Sequence, residues 1–165
     1  MLMTPVLDRQ VTPLDAATSL ALATVRPDGR PHVVPVWFHW DGETIAVLSK
    51  PQAQKVRNLL AEPRAMVSVG QPGSVGTSLL EVTGEVGAGA AADVADRFGS
   101  KYQDLLDAFG LTVSQFLQSY PLVIRLRPTR WLSWGGPGWG QAKASTGPAV
   151  GRQRGLPPEG LAARR

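Results

Sequence analysis

The sequence predicts a mainly β, α+β fold: six or seven antiparallel strands forming a barrel, with a helix after strand 3 and a helical crossover before the last strands. Three observations predict it. Short β-branched and aromatic runs with a two-residue period recur between Gly, Pro and Asp-Gly turn signals, the pattern of antiparallel hairpins. Residues 33–58, VVPVWFHWDGETIAVLSKPQAQKVRN, read as strand, tight turn, strand and helix in immediate succession. The strand in this stretch is largely apolar on both faces, which suits a closed barrel with a helix, ligand or second subunit packed outside it. There are no alternating strand-helix units, so a doubly wound sheet is disfavoured.

Taken in order, residues 1–12 carry no periodic signal and read as an N-terminal arm. Residues 13–139 read as one barrel domain, and 140–165 as a flexible basic tail rich in Gly, Pro and Arg. Pro13 and Asp15 suit the first turn of a short helix behind Thr12. Residues 20–26 form a strand ended by the Pro27-Asp28-Gly29 turn, and 32–40 form the next. In that second strand His32, Val34, Val36, Phe38 and Trp40 share one face, with Val33, Pro35, Trp37 and His39 on the other. Pro35 has no N–H to give, so pairing is expected to break beside it. Asp41-Gly42 turns the chain into strand 43–49.

Residues 51–61 then read as a helix with Pro51 at its first position. Ala53, Val56, Leu59 and Leu60 form its buried stripe, with Lys55 and Arg57 on the flanks. Strand 64–70, loop 71–76 and strand 77–86 follow, with Gly84 marking a bulge or a close approach. Two helices, 90–98 and 102–109, and a further turn or two over 113–118 make the crossover. Residues 120–127 and 129–134 are the closing strands. In the first of these, Val123, Arg125 and Arg127 alternate with Leu122, Ile124 and Leu126.

Composition narrows the function. The chain has 165 residues and no cysteine, which excludes disulfides, thiolate metal sites and cysteine nucleophiles. No apolar run approaches the ~20 residues of a membrane-spanning helix, and the first ten residues lack a basic-then-apolar signal pattern. A soluble cytoplasmic protein without membrane contact is expected. The net charge of +4 does not imply nucleic acid. Beyond Gly140, five positive side chains face Glu159 alone, which accounts for the whole excess.

Motifs narrow it further. His32 and His39 stand an odd number of strand positions apart, so they face opposite sides and do not share a metal. No G-x-S-x-G elbow, P-loop or strand-linked G-x-G-x-x-G is present. The helix start after the third strand remains. Its first amides and partial positive charge suit a phosphate, with Lys55, Arg57 and Asn58 nearby to add contacts. The neighbouring apolar strand suits a flat ring.

The run Pro27-Asp28-Gly29-Arg30-Pro31-His32-Val33-Val34-Pro35-Val36-Trp37-Phe38, followed by Asp41-Gly42, Ser49-Lys50 and Lys55-Val56-Arg57-Asn58-Leu59, resembles a known family. So do Leu80-Glu81-Val82-Thr83-Gly84-Glu85-Val86 and Ile124-Arg125-Leu126-Arg127-Pro128. These motifs resemble the pyridoxamine 5'-phosphate oxidase-like split β-barrel superfamily of flavin and deazaflavin oxidoreductases, and within it the coenzyme F-420-dependent branch. The resemblance spans about residues 20–134.

It implies a homodimer with a cofactor groove between the subunits. Lys55, Arg57 and Asn58 would hold the phosphate, and Ser49 and Lys50 would line the approach to it. Pro35, Val36 and Trp37 would lie along the ring system. Where the flavin mononucleotide (FMN) pattern commonly carries Ser-Arg-Lys, this chain has Ala53-Gln54-Lys55, which favours F-420 over FMN.

The implied reaction is hydride transfer from reduced F-420 to a small organic acceptor, with no indispensable catalytic side chain. Arg152 and Arg154 would form a diffuse clamp on the oligoglutamate of F-420. Two alternatives stay open: an FMN-dependent oxidoreductase of the same fold, and a non-enzymatic flavin, deazaflavin or haem carrier.

Overall fold

Strand alternation sets the inside and the outside of the molecule. A computed structural model describes residues 12–70, 77–88 and 91–134; the loop 71–76, Trp139, the tail and nearly all of the N-terminal arm lie outside the described residues. In β1 (Leu20–Val25) Leu20, Leu22 and Thr24 are buried while the residues between them are not. Six further strands follow: β2 (Pro31–Val36), β3 (Phe38–Trp40), β4 (Ile45–Ser49), β5 (Arg64–Gly70), β6 (Thr77–Ala88) and β7 (Leu122–Trp134). Every pairing is antiparallel, in the order β2-β1-β5-β6-β7-β4-β3.

β2 and β3 are thus the two edges of the sheet, yet only Trp37 stands between them. Laid flat, seven strands would hold their edges about 29 Å apart, at about 4.8 Å per spacing. One residue reaches about 3.5 Å. The sheet must therefore curl until its edges meet, and the predicted barrel follows. Leu22, Phe38, Ile45, Val67, Leu80 and Ile124 fill it and are wholly buried.

Two short helices pack into the same core. α1 (Pro13–Ala16) contributes Leu14, and the Asp15 carboxylate accepts the Thr12 N–H at 2.7 Å to start the turn. α2 (Gln54–Ala61) contributes Val56 and Leu59. A Cβ on Gly84 would stand 2.9 Å from Leu59 Cδ2, so the predicted glycine is the close approach that seats α2. The bulge lies elsewhere. Val82 pairs with Pro128 and Glu81 with Arg130, which leaves Thr129 as the extra residue. A proline is tolerated at such a bulge, so residues 122–134 run as one strand rather than two.

α3 (Ala91–Ala108) and α4 (Val113–Ser119) cover the outside of β4 and β7. Phe98, Tyr102 and Leu106, four residues apart, pack on Ala46, Leu48 and Val123. This shared face carries α3 straight through Gly99, where two helices were expected. Gly99 is also where α4 comes close, since a Cβ there would lie 3.1 Å from Val113 Cγ2.

Four local expectations are corrected. Pro51 does not open α2. The Ala53 N–H bonds the Lys50 carbonyl at 3.1 Å, so Pro51 takes the second position of a β-turn and the helix begins at Gln54. Leu60 is 69% exposed rather than part of the buried stripe. Pairing is not interrupted at Pro35, which faces Ala21 in an unbroken register; an edge strand accommodates a missing donor, and the break comes at Trp37. β2 is covered on its inner face only, with Val33 61% exposed. The crossover helices reach β4, which is buried throughout, but not β2.

The junction at Trp37 is held from α3. The Tyr102 hydroxyl accepts the Phe38 N–H at 2.8 Å, and the Phe38 and Thr18 carbonyls lie 2.7 and 2.9 Å from it as acceptors for its proton. The Trp37 ring stacks on Tyr102 with centroids 4.7 Å apart and planes 6° from parallel. Tyr102→Phe keeps the stacking and strands the buried Phe38 amide. It is expected to lower stability by about 1–3 kcal/mol, seen as a lower urea midpoint with unchanged slope.

Candidate functional site

The β-turn over Pro51 and Gln52 delivers the chain to Ala53, which caps α2 but has no side-chain oxygen to do so. The first amides of the helix, those of Gln54 and Lys55, therefore start it without a capping side chain. A helix end of this kind carries partial positive charge. Lys55 stands in its first turn, half-buried, and burial holds its ammonium pKa below the usual lysine range. No carboxylate pairs with it among the described residues.

The other predicted residues divide into groups. Arg57 braces the turn, its Nη1 donating to the Gln52 carbonyl at 3.0 Å and its Nη2 to Gln54 Oε1 at 2.7 Å. Asn58 is wholly buried; its Nδ2 donates to Thr24 Oγ1 at 2.8 Å, and its Oδ1 accepts from Gln54 Nε2 at 2.7 Å. Lys55, Arg57 and Asn58 thus share one helix start, but of the three only Lys55 makes no side-chain hydrogen bond among the described residues. Ser49 is buried at the end of β4 and donates to the Lys50 carbonyl at 3.1 Å. The Lys50 ammonium lies 5.4 Å from the centroid of the Tyr120 ring.

On the edge strand, Pro35 is exposed and Val36 points into the barrel core. The Trp37 ring packs against Tyr102 and Phe116. Trp131 meets Trp40 edge-on at 6.2 Å.

Sequence reasoning passed over Thr24 and Arg26 and weighed His32 only as a metal ligand. The hairpin register pairs Thr24 with His32, and Thr24 Oγ1 lies 3.4 Å from His32 Nδ1. Burial, then the charges of Arg26 and Lys55, hold the His32 pKa below the usual histidine value. Arg26 Nε is buried with no hydrogen-bond partner among the described residues. The signal was available in the Pro27-Asp28-Gly29 turn, which fixes this pairing once the strand ends are placed.

Two clefts lie away from Lys55. One of about 290 Å³ is lined by Leu14, Asp15, His39, Trp40, Arg97, Ser100 and Lys101. The other, about 110 Å³, includes Glu85, Arg125 and Arg127. Among the described residues no three His, Cys, Asp or Glu side chains gather as a metal site. None of the described helices is long and apolar enough to cross a membrane.

The sequence model of the family described as pyridoxamine 5'-phosphate oxidase matches residues 7–135. The chain belongs to that family. Among solved structures, an F-420 reductase is similar at 26% identity and TM-score 0.59, over 72% of this chain and 91% of that one. A conserved hypothetical protein of Mycobacterium tuberculosis is similar at 22% identity and TM-score 0.60, over 87% of this chain and 100% of that one. HutZ, the haem storage protein of Vibrio cholerae, is similar at 22% identity and TM-score 0.57, over 72% and 86%. The last two likenesses concern the fold. Against curated proteins, sequence comparison finds no match.

Lys101, in the larger cleft, gives a test of this electrostatic picture. Burial pushes its ammonium down to about 8, partly opposed by the charge of Asp15. Between that value and the unfolded value of about 10.4 the unfolded chain binds more protons, so this residue's contribution to stability rises with pH. The parent is expected to gain stability relative to Lys101→Met as pH rises from 8 to 10 in urea titrations. A constant difference would contradict the assignment.

Proposed function

We propose that this family member is an oxidoreductase that uses reduced F-420 to pass a hydride to a small organic acceptor. The observation that carries the reading is Lys55, a half-buried cation without an anionic partner beside an uncapped helix start. A phosphate supplies the charge that this position lacks and accepts the free amides. The similarity to an F-420 reductase supports the deazaflavin over FMN, as does Ala53-Gln54 in place of a hydroxyl and a guanidinium.

In this reading Lys55 and the first amides of α2 hold the phosphate. Arg57 and Asn58 act from behind by fixing the turn and the helix. Ser49 shapes the β4 end of the site, and Lys50 flanks it. The backbone of Pro35 and Val36, at the end of an edge strand, and of Trp37 just past it faces the ring. When bound, F-420 supplies the hydride; the protein aligns the rings and excludes water, so no acid-base pair is required.

A second copy of the chain completes the groove. Val33, Ala23 and Met66 form one cross-strand row on the outside of β2, β1 and β5, with Val33 and Met66 exposed. That apolar face suits a homodimer. An FMN-dependent oxidoreductase is the alternative, favoured by the family itself.

Titration of the parent with F-420 and with FMN separates the two cofactors, and turnover of an acceptor separates an enzyme from a carrier. Lys55→Ala is expected to weaken cofactor binding by about 10- to 100-fold, the worth of a charge-assisted contact, while the fold persists. Unchanged affinity would remove Lys55 from the site.

A further inference from the structure

Five side chains from β1, β2 and α2 form one chain of hydrogen bonds, and the direction of its first three links is fixed by its first member. A guanidinium only donates, so Gln54 Oε1 must accept from Arg57 Nη2. Gln54 then has its amide nitrogen left for Asn58 Oδ1, and Asn58 its own nitrogen for Thr24 Oγ1. Thr24 has accepted and keeps its hydroxyl proton. The next polar atom within reach is His32 Nδ1, at 3.4 Å the longest link. Where that proton is given to Nδ1, the neutral ring carries its own on Nε2.

The surroundings keep the ring neutral. Thr24 lies beside it on β1, and the charges of Arg26, just past β1, and of Lys55, on α2, act on it; burial and both cations oppose a charged imidazole. Three donors therefore influence one another here: the neutral His32 ring, Arg26, whose Nε has no partner among the described residues, and the Lys55 ammonium. None can accept from another. What this cluster lacks is a group rich in acceptor oxygens.

We propose that His32 is a ligand-binding residue of the Lys55 site, whose Nε2–H, fixed by the chain running from Arg57 through Thr24, donates to an oxygen of the bound oxyanion. The proposal rests on the reading of Lys55 as a phosphate site. Arg26 Nε supplies a further donor to the same group.

The test uses the full chain labelled with ¹⁵N-histidine and inorganic phosphate as the probe. With two histidines in the sequence, the ring signals separate readily. In the parent at pH 7, long-range ¹H–¹⁵N spectra are expected to show His32 as the Nε2–H tautomer, and phosphate should shift that nitrogen. His32→Phe should weaken phosphate binding by about tenfold, and His32→Gln, which keeps a neutral donor, should restore most of it. Thr24→Val should mix the tautomers, which a purely structural histidine would not reveal in its phosphate response.

If Lys55→Ala weakens phosphate binding while His32→Phe does not and the His32 Nε2 signal stays still, the His32 proposal falls and the phosphate site stands. If phosphate binding ignores Lys55 as well, both fall. Should His32→Phe not fold, the phosphate response of the parent's Nε2 decides alone.

Discussion

A single residue, Trp37, joins the two edges of a seven-stranded sheet, and the rest of the structure depends on that closure. It forces the sheet to curl, which creates an inside for Leu22, Phe38 and Ile124 and an outside for the crossover helices. A chain leaving one edge and joining another cannot satisfy all its backbone groups by strand pairing, and a buried amide left open is costly. Tyr102 meets that need from α3 with a hydroxyl that both accepts and donates. The same residue stacks on Trp37, so barrel closure and helix docking are one event in the folded state.

The plugging helix α2 follows from a different constraint. Its apolar side enters the core beside Gly84, which drags a polar residue, Asn58, completely under the surface. A buried amide is tolerated when its donors and acceptor are used. Gln54 and Thr24 use them, and the chain is anchored at Arg57. Two of the residues that sequence reasoning placed on a ligand are therefore engaged in holding the helix that presents Lys55. Precision at that position comes from the polar network behind it, as a binding site set on rigid elements requires.

Strand periods and turn signals were legible in the chain, and so was the order of elements, because each is decided within a few residues. The exceptions have tertiary causes. Nothing local tells that residues 32–40 change edge at Trp37, since a break there is set by barrel closure. Pro51 fits a helix start or a turn equally well, and the Lys50 carbonyl decides. Gly99 looks like a helix break until Phe98 and Tyr102 find the same apolar wall. At the site, Lys55 was reached through the phosphate argument and the family motifs. His32 was weighed as a metal ligand and set aside because it and His39 face opposite sides of the strand; its own surroundings depend on where α2 lands as well as on hairpin register.

Volume and charge select different places on this protein, and the physics of unanswered charge favours the second. The larger cleft contains Lys101, but that ammonium already donates to the Phe38 carbonyl at 3.0 Å and lies 3.6 Å from the centroid of the Phe38 ring. Its donors are engaged within the fold, although burial still holds its pKa down to about 8 against the nearby Asp15 charge. Lys55 makes no such hydrogen bond among the described residues, and Arg26 Nε is buried with no acceptor there. Cations kept in such positions lower the stability of the free protein and gain their partner only when an anion arrives. A site defined by what its side chains lack needs no deep cavity.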